Sequence, residues 1–236
     1  MATKKRVFYN GEFYHIILKG VDGKSIFLDN QDRYRMIHDM FVFNDKNCCL
    51  STLRNRKNIM NKIEKYQRHN LVSIHAFCLM GNHMHFLLEQ KTENGISRFM
   101  LKLGAGYASY FNSKYHRTGH LFQGRFKSAW INDGDRLAIL FAYIHTNPVS
   151  IICPNWKEDG IKDLDKAIKF IEKYKWSSYA DYIGGKNFPS LTQRSFMLED
   201  QEQKRWKKFV DDWLEYKADT FEKHFWNVNK NDYLLE

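Results

Sequence analysis

Residues 71–89, LVSIHAFCLMGNHMHFLLE, decide the fold, because they place two apolar stretches on either side of a short turn. Residues 71–79 and 83–89 are rich in β-branched, aromatic and other apolar side chains, a composition that favours strands. Residues 80–82 contain a glycine, which is typical of a tight turn. The stretch therefore predicts a β-hairpin.

The segments around this hairpin predict an α+β fold. Residues 13–18 and 121–131 have the composition of strands, and residues 32–43 and 94–115 carry apolar side chains at helical spacing. A further helix should end before Pro148. The resulting order, strand, helix, strand, strand, helix, strand, helix, is that of a ferredoxin-like or split βαβ layout. We expect a four-stranded antiparallel sheet with helices packed on one face of it.

The remainder of the chain has a helical pattern. Residues 163–182 and 201–225 are charged and aromatic, and residues 187–193 are the best candidate for a linker. We predict one domain over residues 1–185 and a helical C-terminal extension over residues 186–236.

The composition restricts the class of protein. Of 236 residues, 43% are hydrophobic and 27% are charged, as in soluble globular proteins. The net charge of +10 and the 16% of aromatic residues suit a nucleic-acid partner, although charge alone fits a merely basic protein equally well. No apolar stretch is long enough for a membrane span or a signal peptide. The four cysteines show no CxxC spacing, so we expect reduced thiols in a cytoplasmic protein.

His83 and His85 are the first candidates for chemistry. Side chains alternate between the two faces of a strand, so both imidazoles should point the same way, and two imidazoles at this spacing can share one divalent metal ion. The alternative is two unrelated histidines on a solvated strand, because so short a pattern is common by chance.

Tyr143 and Asn147 are the second candidates. They lie four residues apart near the end of an otherwise apolar helix, and therefore on one face of it. Taken alone, such a tyrosine is more often a core aromatic, and an asparagine before a proline is more often a helix terminator.

A basic segment is the third candidate. Arg125 and Lys127 should share one face of the predicted strand 121–131, next to Gln123 and a glycine that allows close approach of a phosphate. Arg117 adds charge upstream. The alternative is a solvated edge strand whose cations prevent aggregation.

In combination, these features identify a family. The chain resembles the single-tyrosine HUH transposases, and most closely the REP-associated tyrosine transposases, over about residues 6–185. The matching blocks occur in the family's order. They are YHI (14–16), SIFLD (25–29), FCLMGNHMH (77–85), Tyr107, YFN (110–112), GHLFQGRFKS (119–128), YIHTNPV (143–149) and WSSY (176–179). One departure is Gly81, where the family commonly has proline.

The resemblance implies a role for each matched residue. His83 and His85 would hold a divalent metal ion, Mg²⁺ or Mn²⁺, with Asn147 as the third ligand. Tyr143 would be the nucleophile that cleaves single-stranded or hairpin DNA and keeps a 5′-phosphotyrosine link, with Tyr107 and Tyr110 as the other candidate nucleophiles. Basic residues would bind DNA, namely Arg125, Lys127, Gln123 and Arg117.

Three matters stay open at the level of sequence. A domesticated protein that binds hairpins without cleaving them would carry much of the same pattern. A metal-dependent hydrolase would use water as the nucleophile and form no covalent intermediate. A homodimer is also compatible with the resemblance, since related enzymes include dimers that exchange the tyrosine helix as well as monomers.

Overall fold

The computed structural model describes residues 6–47, 68–195 and 202–216. The strands are β1 (Phe13–Lys19), β2 (Val72–Leu79), β3 (His83–Gln90) and β4 (Lys127–Ile131). The helices, in chain order, are α1 (Asn30–Phe43), α2 (Gly95–Lys114), α3 (Gly134–Thr146), α4 (Val149–Ile152), α5 (Trp156–Asp159), α6 (Leu164–Lys173), α7 (Tyr179–Tyr182) and α8 (Glu202–Glu215). A 3₁₀ turn at Val21–Gly23 follows β1.

The four strands form one antiparallel sheet in the order β2-β3-β1-β4. This order and the alternation of strands and helices confirm the predicted α+β, split βαβ architecture. The predicted hairpin is β2 and β3, closed by a hydrogen bond from the Met80 amide to the His83 carbonyl oxygen. Because β1 pairs with β3, Lys19 lies opposite His83 and Ile17 lies opposite His85.

One face of the sheet is an apolar core beneath α1 and α2. Alternate residues of β1 and β3 point into this core and are buried, as the period of two in a strand requires. The strand residues are Tyr14, Ile16, Leu18, Met84, Phe86 and Leu88.

The opposite face of the sheet is covered by α3. Leu140, Phe141 and Ile144 of this helix share a second core with Cys78 of β2 and Leu87 of β3. The expectation that helices pack on one face only was therefore wrong. The reason is that α3 is apolar on nearly every side and can be buried between the sheet and other helices.

The predicted C-terminal helix is present as α8, and it joins the second core. Trp206 packs against Phe141 of α3 with ring centroids 4.7 Å apart, and Val210 and Leu214 are buried. Residues 187–193 are also anchored, since the Gln193 amide donates to the Ile74 carbonyl oxygen at 2.8 Å. The domain boundary after residue 185 stays a prediction.

Two further observations bear on the sequence predictions. Within the described part of the chain, no helix is long and apolar enough to cross a lipid bilayer. Cys78 and Cys153 are free thiols, whereas Cys48 and Cys49 lie outside the described residues.

Candidate active site

An open cleft of about 890 Å³ lies beside the α3 face of the sheet, where β1, β3 and β4 meet the end of α3. All but one of the predicted site residues line this cleft, although they come from separate parts of the chain. They are His83, His85, Gln123, Arg125, Lys127, Tyr143 and Asn147.

Strand alternation brings the two histidines of β3 together in the cleft. Met84, between them, is fully buried in the opposite core, so His83 and His85 both face α3. Their ring centroids are 4.9 Å apart, and the two rings are nearly perpendicular. The imidazoles therefore present their edges to the same region of the cleft.

The Nδ1 atom of each histidine is held by a neutral partner. His83 Nδ1 donates to the side-chain oxygen of Asn82 at 2.6 Å. A hydrogen bond of 2.9 Å joins His85 Nδ1 to His15 Nε2 of β1. Such bonds fix the orientation and the tautomer of an imidazole, and they leave Nε2 as the atom that can bind a ligand in the cleft.

His15 has a place in the site that the sequence analysis did not assign. The residue was only part of a matching block, and its contact with His85 depends on the pairing of β1 with β3. Alternation within residues 13–18 could place His15 on the face opposite Tyr14 and Ile16, but not beside a particular histidine.

Burial keeps all three histidines neutral. It lowers the pKa of His15 to about 3, and it lowers the pKa of His83 to about 4 with help from the positive charges of Lys19 and Lys157. The pKa of His85 is well below its ordinary value, because of burial first and of the neighbouring histidines and Lys157 second. A neutral imidazole carries the lone pair that a metal ion requires.

Tyr143 lies directly against this histidine cluster. Its ring is perpendicular to that of His85, with centroids 5.5 Å apart, and it makes a similar contact with His15 at 6.0 Å. The Lys157 ammonium lies 4.8 Å from the centre of the tyrosine ring. Tyr143 reaches the histidines of its own chain, so this arrangement needs no second copy of the protein.

Asn147 ends α3 one turn after Tyr143. Its side-chain nitrogen donates to the Tyr143 carbonyl oxygen at 2.7 Å. The amide oxygen makes no hydrogen bond within the described residues, and the side chain lines the cleft. Two imidazole nitrogens and one amide oxygen are a neutral ligand set that suits Mn²⁺ or Mg²⁺. Among the described residues, no group of three or more His, Cys, Asp and Glu side chains is placed to hold a metal ion.

The other candidate nucleophiles lie on the opposite side of the sheet. Tyr107 is fully buried, and its hydroxyl donates to the Ile26 carbonyl oxygen. The Tyr110 hydroxyl donates to Asp32 at 3.1 Å. Burial raises the pKa of both phenols. Neither hydroxyl reaches the cleft, so Tyr143 is the tyrosine that the fold brings to the histidines.

The basic residues are partly where the sequence analysis expected them. β4 begins at Lys127, so the prediction that Arg125 shares a strand face with Lys127 was wrong. Gly124 has a φ of +146°, a backbone conformation that interrupts a strand just before Arg125. Arg125 nevertheless lines the cleft from this loop.

Arg117 lies apart from the other predicted residues. It follows α2, its guanidinium stacks 5.5 Å from the centre of the Phe111 ring, and it is absent from the cleft wall. By contrast, two cations that the sequence analysis did not single out, Lys19 and Lys157, line the cleft together with a single acid, Glu158. The cleft is therefore strongly positive.

One known protein family matches the part of the chain that holds the candidate site. The family model for IS200-like transposases matches residues 33–147, the segment that contains both histidines, Tyr143 and Asn147. Over this segment, which is just under half of the chain, the sequence is similar to IS200-like transposases. No curated protein matches the sequence significantly.

A solved structure is also similar to this chain. It is a REP-associated tyrosine transposase bound to a REP hairpin, and it has 16% sequence identity and a TM-score of 0.47. The match covers 78% of this chain and 86% of the other.

Proposed function

We propose that this protein is a transposase that cleaves and rejoins single-stranded DNA, including strands folded into hairpins, through a covalent link between Tyr143 and a 5′ phosphate. The observation that carries the proposal is the packing of the Tyr143 ring against His85, in a cleft that both share with His83 and Asn147. The cleft thus brings a candidate nucleophile together with a candidate set of metal ligands.

Some residues of the cleft would bind the DNA strand, and others would take part in the reaction. Lys19, Arg125 and Lys127 are exposed cations along the cleft, and they would hold the phosphates of a single strand. Ion pairing of this kind positions the strand without reading its bases. The strand is bound so that one phosphate lies next to the Tyr143 hydroxyl.

His83, His85 and Asn147 would hold a divalent cation. The chemistry that a bound cation would supply is neutralisation of charge on the phosphate, which would lower the barrier to attack by an oxygen nucleophile. The imidazoles can serve without first losing a proton, because burial keeps them neutral. A ligand set without a carboxylate leaves the full charge of the cation directed at the phosphate.

In the reaction, the Tyr143 oxygen forms a bond to phosphorus while the bond from phosphorus to the 3′ oxygen breaks. The phenol proton passes to solvent, and the 3′ oxygen takes up a proton from solvent. The phosphotyrosine ester retains the energy of the broken linkage, because a phenolate leaves more readily than an alkoxide. A 3′ hydroxyl can therefore reverse the step and join strands without ATP.

The test uses the full chain and a single-stranded hairpin oligonucleotide labelled on the 3′ side of the cleavage position. With Mn²⁺ or Mg²⁺ we expect a labelled band that stays attached to the protein on a denaturing gel and that disappears with EDTA. Cleavage without any covalent band would indicate water as the nucleophile. Binding without cleavage would indicate a protein that only binds hairpins. Either result would overturn the proposal.

A further inference from the structure

Lys157 reaches the cleft from a segment that follows the matched family region. α3 ends at Thr146 with Asn147 as its cap, and α4 and α5 then bring the chain back toward Tyr143. Trp156 is only 2% exposed and fixes α5 in the core, so the next residue is held at the cleft wall. The position of Lys157 is thus set by buried packing rather than by a solvent-exposed loop.

The charge of Lys157 faces the centre of the candidate site. Its ammonium lies 4.8 Å from the centre of the Tyr143 ring, a distance typical of cation–π contacts. The same charge contributes to the low pKa of His83 and of His85. Lys157 is therefore close to the nucleophile and to both histidines at once. It is also half-buried, so its field is less screened than that of the exposed Lys19.

We propose that Lys157 is a catalytic residue, whose ammonium stabilises negative charge on the Tyr143 oxygen and ring as the tyrosine attacks and leaves the DNA phosphate. This inference rests on the proposed function. During attack the oxygen–phosphorus bond forms, the bond to the 3′ oxygen breaks, and the phenol proton goes to solvent. Because a phenolate spreads its charge into the ring, a cation over the ring is bound more strongly by the phenolate than by the neutral phenol.

The same charge should act in both directions of the reaction. In rejoining, the 3′ oxygen attacks phosphorus and the tyrosine leaves as a phenolate, which again benefits from the nearby ammonium. A lysine that only bound DNA would change affinity rather than the rate of the bound complex. A lysine that only packed its stem against Tyr143 would be replaceable by an uncharged side chain of similar length.

Three variants separate these roles. Lys157→Met keeps the length of the stem and removes the charge, Lys157→Gln removes the charge and has a shorter stem with a polar end, and Lys157→Arg keeps the charge. Lys169→Gln is the matched control, because Lys169 is an exposed lysine of α6 away from the cleft wall. Thermal melting identifies any variant that fails to fold. If one of the two uncharged variants fails, the other is used for the measurement.

The measurement is the single-turnover rate of covalent adduct formation with saturating hairpin and Mn²⁺, together with the rate of rejoining. We expect both uncharged variants to be roughly 30- to 100-fold slower in both directions, with hairpin affinity within about three-fold of the wild type. Lys157→Arg should stay within about ten-fold of the wild type, and Lys169→Gln should be unchanged.

Other outcomes would contradict the inference. If the uncharged variants react at the wild-type rate, or if Lys157→Arg is as slow as they are, the charge has no catalytic role. If the loss of rate disappears at saturating DNA, Lys157 is a binding residue only. These results leave the proposed function intact, because the wild type still forms its adduct. If the wild type forms no adduct, the proposed function fails, and the inference about Lys157 fails with it.

Discussion

On the face of the sheet that α1 and α2 cover, the tyrosines of α2 are hydrogen-bonded into the core. Tyr107 donates to a backbone carbonyl oxygen and Tyr110 donates to the buried carboxylate of Asp32. On the face that α3 covers, Tyr143 lies instead beside His15 and His85, at an open cleft. The difference shows that the environment of each tyrosine, and not its place in an amphipathic helix, separates a structural phenol from a candidate nucleophile.

The strand residues of the two faces differ in the same way. Toward α1 and α2 the strands present apolar side chains such as Ile16 and Phe86. Toward α3 they present His15, His83 and His85, whose pKa values are lowered by burial. Placing imidazoles there lowers stability in acid, because each must stay neutral in the fold. Both faces are packed against apolar side chains, and the face toward α3 adds the three histidines to its apolar contacts.

Separate replacement of Tyr143 and of Tyr110 by phenylalanine should show the difference between the two faces most clearly. We expect Tyr143→Phe to lower the rate of strand cleavage by about 1,000-fold or more, since the attacking oxygen is removed, while hairpin affinity is retained. Tyr110→Phe, the matched control on the other face, should cleave within about two-fold of the wild type. A gel assay with labelled hairpin measures the cleavage rates of both variants. A larger loss of cleavage rate in Tyr110→Phe than in Tyr143→Phe would place the reaction on the face that α1 and α2 cover and would contradict this account.

Low pH should destabilise the protein, because the buried histidines on the α3 face are neutral in the folded state. Burial lowers the pKa of His145 of α3 from 6.5 to about 3. The unfolded chain therefore binds a proton below about pH 6.5 that the folded chain does not bind, so the stability from this group is full above that pH and falls as the pH falls. For each such histidine, lowering the pH from about 6.5 to about 5 should reduce the free energy of unfolding by about 2 kcal/mol.

Urea unfolding at both pH values measures this dependence. The variant His145→Gln removes one titrating group, so its stability should fall less steeply with acid than that of the wild type. Equal slopes for the two proteins would show that His145 does not titrate between the folded and unfolded states.

Substitution of His15 tests whether its hydrogen bond to His85 supports metal binding. His15→Leu keeps most of the side-chain volume but removes the hydrogen bond to His85, so the imidazole of His85 loses its fixed orientation. We expect Mn²⁺ affinity, measured by calorimetry, to fall by about ten-fold. His15→Gln, which can still hydrogen-bond, should recover part of the loss. His38→Leu, on α1, is the control and should bind Mn²⁺ as the wild type does. Unchanged affinity in His15→Leu would remove His15 from the site.

The smallest expected effect concerns the structural phenol. Tyr107→Phe leaves the Ile26 carbonyl oxygen without its hydroxyl donor, in a fully buried position. The free energy of unfolding should fall by about 1 kcal/mol, with no change in the rate of cleavage. Denaturant unfolding and the gel assay report the two quantities separately. A loss of cleavage at full stability would mean that Tyr107 takes part in the reaction.

Features that depend on a local pattern could be predicted from the sequence. Alternation in β3 placed His83 and His85 together, and helical spacing placed Asn147 one turn after Tyr143. The hairpin, the number of strands and the helix that ends before Pro148 follow from the same local signals.

Features that depend on long-range pairing were not predicted. His15 meets His85 only because β1 lies beside β3, and Lys157 reaches Tyr143 only after α4 and α5 turn the chain back. The covering of both faces of the sheet depends on where α3 packs, which periodicity within α3 does not determine. The start of β4 was misplaced because the effect of Gly124 on a strand depends on its φ angle.

The most direct measurement of the central claim is the mass of the peptide that carries Tyr143. The protein is incubated with a hairpin oligonucleotide and Mn²⁺, denatured, digested with nuclease and protease, and sequenced by mass spectrometry. The account predicts a nucleotide attached through phosphate to Tyr143. A nucleotide on any other residue, or complete cleavage of the strand with Tyr143 unmodified throughout the reaction, would contradict it.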